Sequence, residues 1–222
     1  MCKLVKKNQP IKNTPWIVYS LILLYVLILI FIKYLLPYYG IAFQQVLRWL
    51  NSISSSHELI AWILALLFHG GVIHLSAVVF SLWFFGPNVE DLLGPLLFLI
   101  VYLICGAIAM FTHMYFRSSN ASFLGSFGAV SGVVGVYAVL FPKAKADFVF
   151  VYHRLEIGRI ELNALCITSA WFCLSIIAGS IIQNFSAVKE MVYIPFTLWT
   201  QMGGYIAGLA CGFLFKMTRK SG

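Results

Sequence analysis

Charge is scarce in this chain. Only 10% of its 222 residues are Asp, Glu, Lys or Arg, against about 25% in a soluble globular domain. A fold that faces water on every side is therefore excluded. Acidic residues number seven, and none falls in the middle of a long apolar run. Ion-coupled carriers and channels need ionisable groups or broken-helix pairs at membrane depth, so a transporter or channel is disfavoured. Tandem repeats and low-complexity stretches are absent. Cysteine is present in an odd number, five, of which Cys105, Cys166, Cys173 and Cys211 sit in apolar runs. That pattern suits small packing residues rather than a disulfide framework. No lipidation motif surrounds Cys2. His69 and His74 stand five apart with no cysteine or carboxylate beside them, which reads as structural histidine rather than a metal site. No metal and no cofactor is expected.

What remains is apolar. The chain is 61% hydrophobic, and several runs reach the roughly 20 residues that cross a bilayer. The expected class is all-α, a polytopic helical membrane protein whose immediate partner is the lipid bilayer. A basic tail, residues 1–15, carries Lys3, Lys6, Lys7 and Lys12. The apolar run after it is too long for a signal peptide and lacks a small-x-small cleavage site, so it is read as a retained helix. Six spans are expected at about 16–36, 72–85, 95–116, 124–141, 161–182 and 194–215. They form one membrane domain, residues 16–216, ahead of a second basic tail at 217–222. Residues 41–58 alternate apolar and polar groups, as a partly immersed amphipathic segment does. A short embedded helix is expected up to Phe68, where His69-Gly70-Gly71 breaks it. Gly86-Pro87-Asn88-Val89-Glu90-Asp91 reads as a turn, and residues 143–160 as a loop.

Six spans put both termini on one side. On that side lie 11 of the 15 Lys and Arg residues, whereas Lys33, Arg48, Arg117 and Lys189 fall opposite. Cytoplasmic loops are the ones enriched in Lys and Arg, so both termini are expected in the cytoplasm. The same distribution accounts for the net charge of +8 without nucleic acid as a partner. A bacterial inner (plasma) membrane is the expected location.

Glycine recurs at 125, 128, 132 and 135 within the fourth run, and at 203, 204, 208 and 212 in the sixth. Each costs about 1 kcal/mol against alanine inside a helix. Close backbone approach between two membrane helices repays that cost. Gly128, Gly132 and Gly135 are therefore expected to pack against Gly204, Gly208 and Gly212.

Four motifs in order resemble those of the rhomboid family of intramembrane serine proteases, over nearly the whole chain. His69-Gly70-Gly71-Val72-Ile73-His74 is similar to the family's His-x4-His segment. The stretch from Trp83 through Gly86 to Val89-Glu90 resembles its Trp-x-x-Gly-x-x-Val-Glu turn. Residues 125–145 resemble the nucleophile helix and the basic turn after it, and Gln201-Met202-Gly203-Gly204 the end of its last-span motif. The resemblance implies a six-helix core with a site opening to the outer side. It also exposes departures. Phe127 stands where the family has its serine nucleophile, Gln201 where it has the histidine base, and Val78 where it has an oxyanion-side asparagine. His74, by resemblance another oxyanion-side group, persists.

Phenylalanine has no nucleophilic atom, and an amide takes no proton near neutral pH. The expected function is thus a rhomboid pseudoprotease that binds a transmembrane segment or membrane-protein partner. Its cavity would be lined by His74, Val78, Ser126, Phe127 and Gln201. The alternative is an active serine endopeptidase with a displaced nucleophile, Ser126 working with His74. Ser131, more than a turn deeper, is a second displaced serine. Both serines also suit small packing residues bonded to backbone.

Overall fold

The computed structural model describes residues 2–7, 11–38, 45, 64, 66–69, 72–116, 126–152, 155–184 and 198–220. Six long helices run through them: α1 (Trp16–Tyr38), α2 (Val72–Leu93), α3 (Pro95–Phe116), α4 (Phe127–Leu140), α5 (Ala164–Asn184) and α6 (Leu198–Lys220). Three of these, α1, α2 and α3, are long and apolar enough to cross a bilayer on their own terms. A π-helical turn, Phe31–Leu35, interrupts α1. The protein is a polytopic helical membrane protein. The amphipathic segment expected at 41–58 lies outside the described residues apart from Gln45, which is helical.

The helices divide by what they face. α4 is buried on every side, from Phe127 to Val139, and touches α2, α3, α5 and α6. A helix that is apolar all round belongs in the centre of a bundle. α1 is equally apolar, yet Leu23, Leu27 and Ile30 are exposed on it, as side chains against lipid are. Its buried side chains, Val18, Tyr25 and Ile32, recur every seven residues and mark the seam toward the bundle.

The turn expected at 86–91 is instead the last part of α2, which continues through Pro87 to Leu93. Burial explains it. A Cβ on Gly86 would lie 2.7 Å from a Val18 methyl carbon, so α1 and α2 touch there. Glu90 caps α1 from outside: its carboxylate accepts Ile17 N–H at 2.9 Å and Val18 N–H at 2.8 Å. Asp91 accepts Asn13 N–H at 2.8 Å beside it. The first N–H groups of a helix have no partner within it, and an anion also suits its positive end. The reversal comes at Gly94, whose φ of +82° few other residues adopt, and Pro95 opens α3.

Outside the helical body stands a three-stranded antiparallel sheet in the order β1 (Cys2–Lys7), β2 (Lys145–Tyr152), β3 (Leu155–Asn163). It replaces part of the expected basic tail and most of the expected 143–160 loop. The signal was the run Phe148-Val149-Phe150-Val151-Tyr152, rich in the β-branched and aromatic residues that favour strands. Because β3 runs to Asn163, the fifth helix begins at Ala164 rather than at about Glu161. Asn163 caps it, its side-chain oxygen accepting Cys166 N–H at 2.8 Å. The pairing of β1 with β2, Cys2 opposite Phe150 through Lys7 opposite Lys145, puts the start of the chain and the α4–α5 connection on one face of the bundle. At its C-terminus the chain stays helical, α6 extending through Lys220, so most of the expected 217–222 tail is helix.

Candidate functional site

α4 and α6 meet backbone to backbone. A Cβ on Gly204 would collide with the carbonyl oxygen of Gly128, and one on Gly208 with that of Gly132. A Cβ on Gly135 would strike the Tyr205 carbonyl in the other direction. Gly212 is looser, with its nearest neighbour, Val139 Cβ, 3.0 Å from the added carbon. This seam fixes the first turn of α4 against the first turn of α6, and those turns carry Phe127 and Gln201.

Phe127 opens α4 and is 7% exposed. Its ring stacks on Trp171 of α5 at 5.7 Å and 11° between planes, and meets the His74 ring of α2 at 5.5 Å. Trp171 is held in turn: its indole N–H donates to Ser81 Oγ at 2.7 Å, and Ser81 donates to Ala77 O. One aromatic group thus ties α2, α4 and α5 together at Phe127, the residue that by resemblance stands where the family has its serine. Val78, one turn beyond His74, is fully buried in the apolar core.

Gln201 is 2% exposed, and its Oε1 accepts a hydrogen bond from Ser175 Oγ at 2.6 Å. It acts as a strut between α6 and α5. The five residues expected to line one open cavity are all buried. Among them His74 and Phe127 are in ring contact, while Gln201 bonds outside the group. An apolar cleft of about 210 Å³ lies alongside, between α2 and α5, lined by Phe80, Phe84, Phe85, Ile167, Trp171 and Leu174 among others.

The displaced serines are placed differently from expectation. Ser126, just before α4, faces His69 rather than His74: Ser126 Oγ and His69 Nε2 are 3.2 Å apart. His69 Nδ1 lies 3.1 Å from the Leu67 carbonyl, which can only accept. Nδ1 therefore carries the proton, and Nε2 is left as the acceptor for Ser126. Tyr25 of α1 and Tyr102 of α3, their hydroxyls 2.6 Å apart, lie close to Ser126. Ser131 donates to Phe127 O at 2.7 Å, a bond to its own helix backbone. Among the described residues no cluster of three metal-ligating side chains forms.

His69, Trp171, Ser175, Tyr25 and Tyr102 were not anticipated in these roles. Spacing alone cannot pair residues from different helices. The one available cue was that Trp171 and the two tyrosines carry polar handles inside apolar runs, which need partners when buried.

The Rhomboid domain profile matches residues 56–218, more than half of the chain. Among characterised proteins, presenilin-associated rhomboid-like protein A, mitochondrial, of Danio rerio is 30% identical over 86 residues, 37% of this chain and 22% of that protein. Presenilin-associated rhomboid-like protein, mitochondrial, of Bos taurus is 26% identical over 112 residues, 49% of this chain and 30% of that protein. The matched stretches thus span less than a third of either relative. On the span of the profile match, together with the six-helix bundle that carries it, this chain belongs to the rhomboid family.

Proposed function

We propose that this chain is a rhomboid without proteolytic chemistry, which binds transmembrane segments or membrane-protein partners instead of cutting them. One observation carries the reading: the Phe127 ring fills the nucleophile position, packed between His74 and Trp171. Nucleophilic catalysis needs an atom that attacks and a base that takes its proton. Phe127 supplies neither, and Gln201 offers an amide already engaged by Ser175. Losing one member of a catalytic pair costs orders of magnitude in rate; here both positions are changed. The occupant we propose is a single apolar helix of another membrane protein, since the surroundings offer apolar and aromatic surface.

Restoration tests this reading. Phe127→Ser with Gln201→His and Val78→Asn is expected to give cleavage of a generic rhomboid substrate where the parent chain gives none. Photo-crosslinking in native membranes is expected to capture a membrane protein rather than a cleavage product. Cleavage by the unaltered chain would sink the proposal.

A second reading has one contact in its favour, the 3.2 Å approach of His69 Nε2 to Ser126 Oγ. It is a serine paired with an oriented imidazole, as in a hydrolase dyad, with His69 replacing His74 as the base. Against it, Ser126 is fully buried among the described residues. A fluorophosphonate probe separates the two. Labelling that disappears in Ser126→Ala and in His69→Ala would favour the displaced dyad, and no labelling favours the binding module.

For orientation, the charge count supports both termini on the cytoplasmic side, and reporter fusions at either end test it. For location, the expected bacterial plasma membrane stands beside the mitochondrial names of the matched relatives. Fractionation of the source cells decides between them.

A further inference from the structure

The three-stranded sheet is amphipathic, and the helices do not account for its apolar side. Its register runs unbroken through six cross-strand rows, from Cys2–Phe150–Gly158 to Lys7–Lys145–Asn163. Residues paired across strands share a face, and successive rows alternate between faces. One face therefore takes Cys2, Leu4, Phe148, Phe150, Ile160 and Leu162, with Lys6 as its single charge. The other takes Lys3, Lys7, Lys145, Asp147, Arg159 and Glu161. Leu162 is half-buried, packs on the apolar core and lines the cleft between α2 and α5, whereas Lys145 and Glu161 form an exposed ion pair. The apolar face thus turns toward the membrane body and the charged face away from it. Among the described residues, the helix that the sheet touches most is α5, the direct continuation of β3. At about 3.3 Å per residue, the row of Phe150 lies about 13 Å from that of Leu162. Most of the apolar face therefore extends past the helix it rests on.

We propose that this face lies on the bilayer surface at its own end of the bundle and binds anionic phospholipid. Continuity supports lipid as the occupant. The cleft that Leu162 lines also includes Phe80 and Leu174, both exposed on the outside of the bundle, so the apolar rows extend a surface that already meets acyl chains. Depth supports it too. α4 runs antiparallel to α3, Gly128 against Ala109 and Gly132 against Cys105, and Glu90 holds the start of α1 beside the α2–α3 reversal. The sheet therefore leaves α4 at the end where Trp16, exposed, opens α1, and tryptophan gathers at the headgroup level. It has almost no spacer: α4 ends at Leu140, β2 starts at Lys145, and β3 passes into α5 at Asn163. Charge selects the headgroup. Lys12, Lys143, Lys216 and Arg219 are exposed around the same end. Within the strands five basic residues stand against three acidic ones, Asp147, Glu156 and Glu161. An apolar plate with a basic surround binds an anionic interface through both terms. A lysine within such a face, as at Lys6, keeps its stem in the apolar layer and its ammonium at the phosphates.

The test uses the full, unmutated chain in nanodiscs containing a phosphatidylglycerol whose acyl chain carries a carbene-generating aryl diazirine. After illumination and digestion, the adducts are mapped by mass spectrometry. Expected are adducts on Leu4, Phe148, Phe150 and Ile160, with far fewer on Val5, Val149 and Arg159 of the opposite face. Unlabelled phosphatidylglycerol is expected to displace them at a lower mole fraction than phosphatidylcholine does. Lys6→Glu should lower them severalfold, while adducts on Leu23 and Leu27, exposed on α1, persist and report intact insertion. Adducts confined to the helices would overturn the proposal, and that is the result a protein partner or a second copy seated on this face would give. Equal labelling of the two faces would overturn it as well. Equal displacement by the two lipids would overturn the anionic preference.

Discussion

The α4–α6 seam and the start of α4 share the same two helices but are built by opposite rules. Along the seam backbone meets backbone: Gly128 lies against Gly204 and Gly132 against Gly208. At the start of α4 there is little but side chain, with Phe127 wedged between His74 and Trp171. A seam of this kind has one geometry, because nothing in it can rotate out of the way. A side-chain cluster can be refilled, provided the volume is kept. The difference teaches that family fold and family chemistry are held by separate residues. Exchange of the second set leaves the first in place.

The largest effect should come from breaking the seam. Gly208→Val would drive branched carbons into the Gly132 backbone, which cannot yield without parting the helices. We expect no folded protein on gel filtration in mild detergent. Gly212→Ala, where the added carbon comes within 3.0 Å of Val139 Cβ alone, should keep the fold. Equal damage from both would mean that the seam is not defined by backbone contact.

Next in size is the ring. Phe127→Ala empties a buried aromatic site, and such truncations cost about 3–5 kcal/mol. Unfolding in mixed micelles should move by that amount, and Phe127→Leu should recover much of it. Phe127→Ser carries a similar loss, so the restored triple variant proposed above is expected to be less stable than its parent even where it cleaves. A Phe127→Ala chain as stable as the parent would mean that the ring is not part of the core.

The seam was legible in the sequence and the ring cluster only half so. Glycine at a four-residue spacing in two apolar runs says that two backbones touch, because little else explains it. Phe127 and Gln201 were legible as departures from a motif, but not as packed or bonded groups. Trp171 and Ser175 lie on α5, which carries no motif residue of its own, and only the fold brings them to the site. Ser126 faces His69 instead of His74, a choice between two histidines that spacing does not describe. Gly86 to Asp91 looked like a turn because Gly, Pro, Asn and two acids are turn residues in water. The capping of α1 by Glu90 holds that same set as helix, buried from Gly86 to Glu90. The sheet has its signal in the β-branched and aromatic run of β2, which apolar membrane runs of similar composition mask.

The smallest effect concerns Gln201. If it is a strut rather than a spent catalytic group, its worth should equal one hydrogen bond between membrane helices, about 0.6 kcal/mol on average and at most about 1.7. Ser175→Ala leaves the buried Gln201 oxygen without its donor, and Gln201→Leu leaves the serine only the Phe172 carbonyl of its own helix, 2.8 Å away, as acceptor. Each single change should cost about 1 kcal/mol. Making both together removes the polar pair entirely, so the double variant should be destabilised by less than the sum of the two. That shortfall is the coupling energy, and a double-mutant cycle on unfolding in micelles measures it. Strict additivity would mean that Gln201 is idle at a buried site. A coupling within the membrane range would mean that the base position, like the nucleophile position, has been taken over by structure.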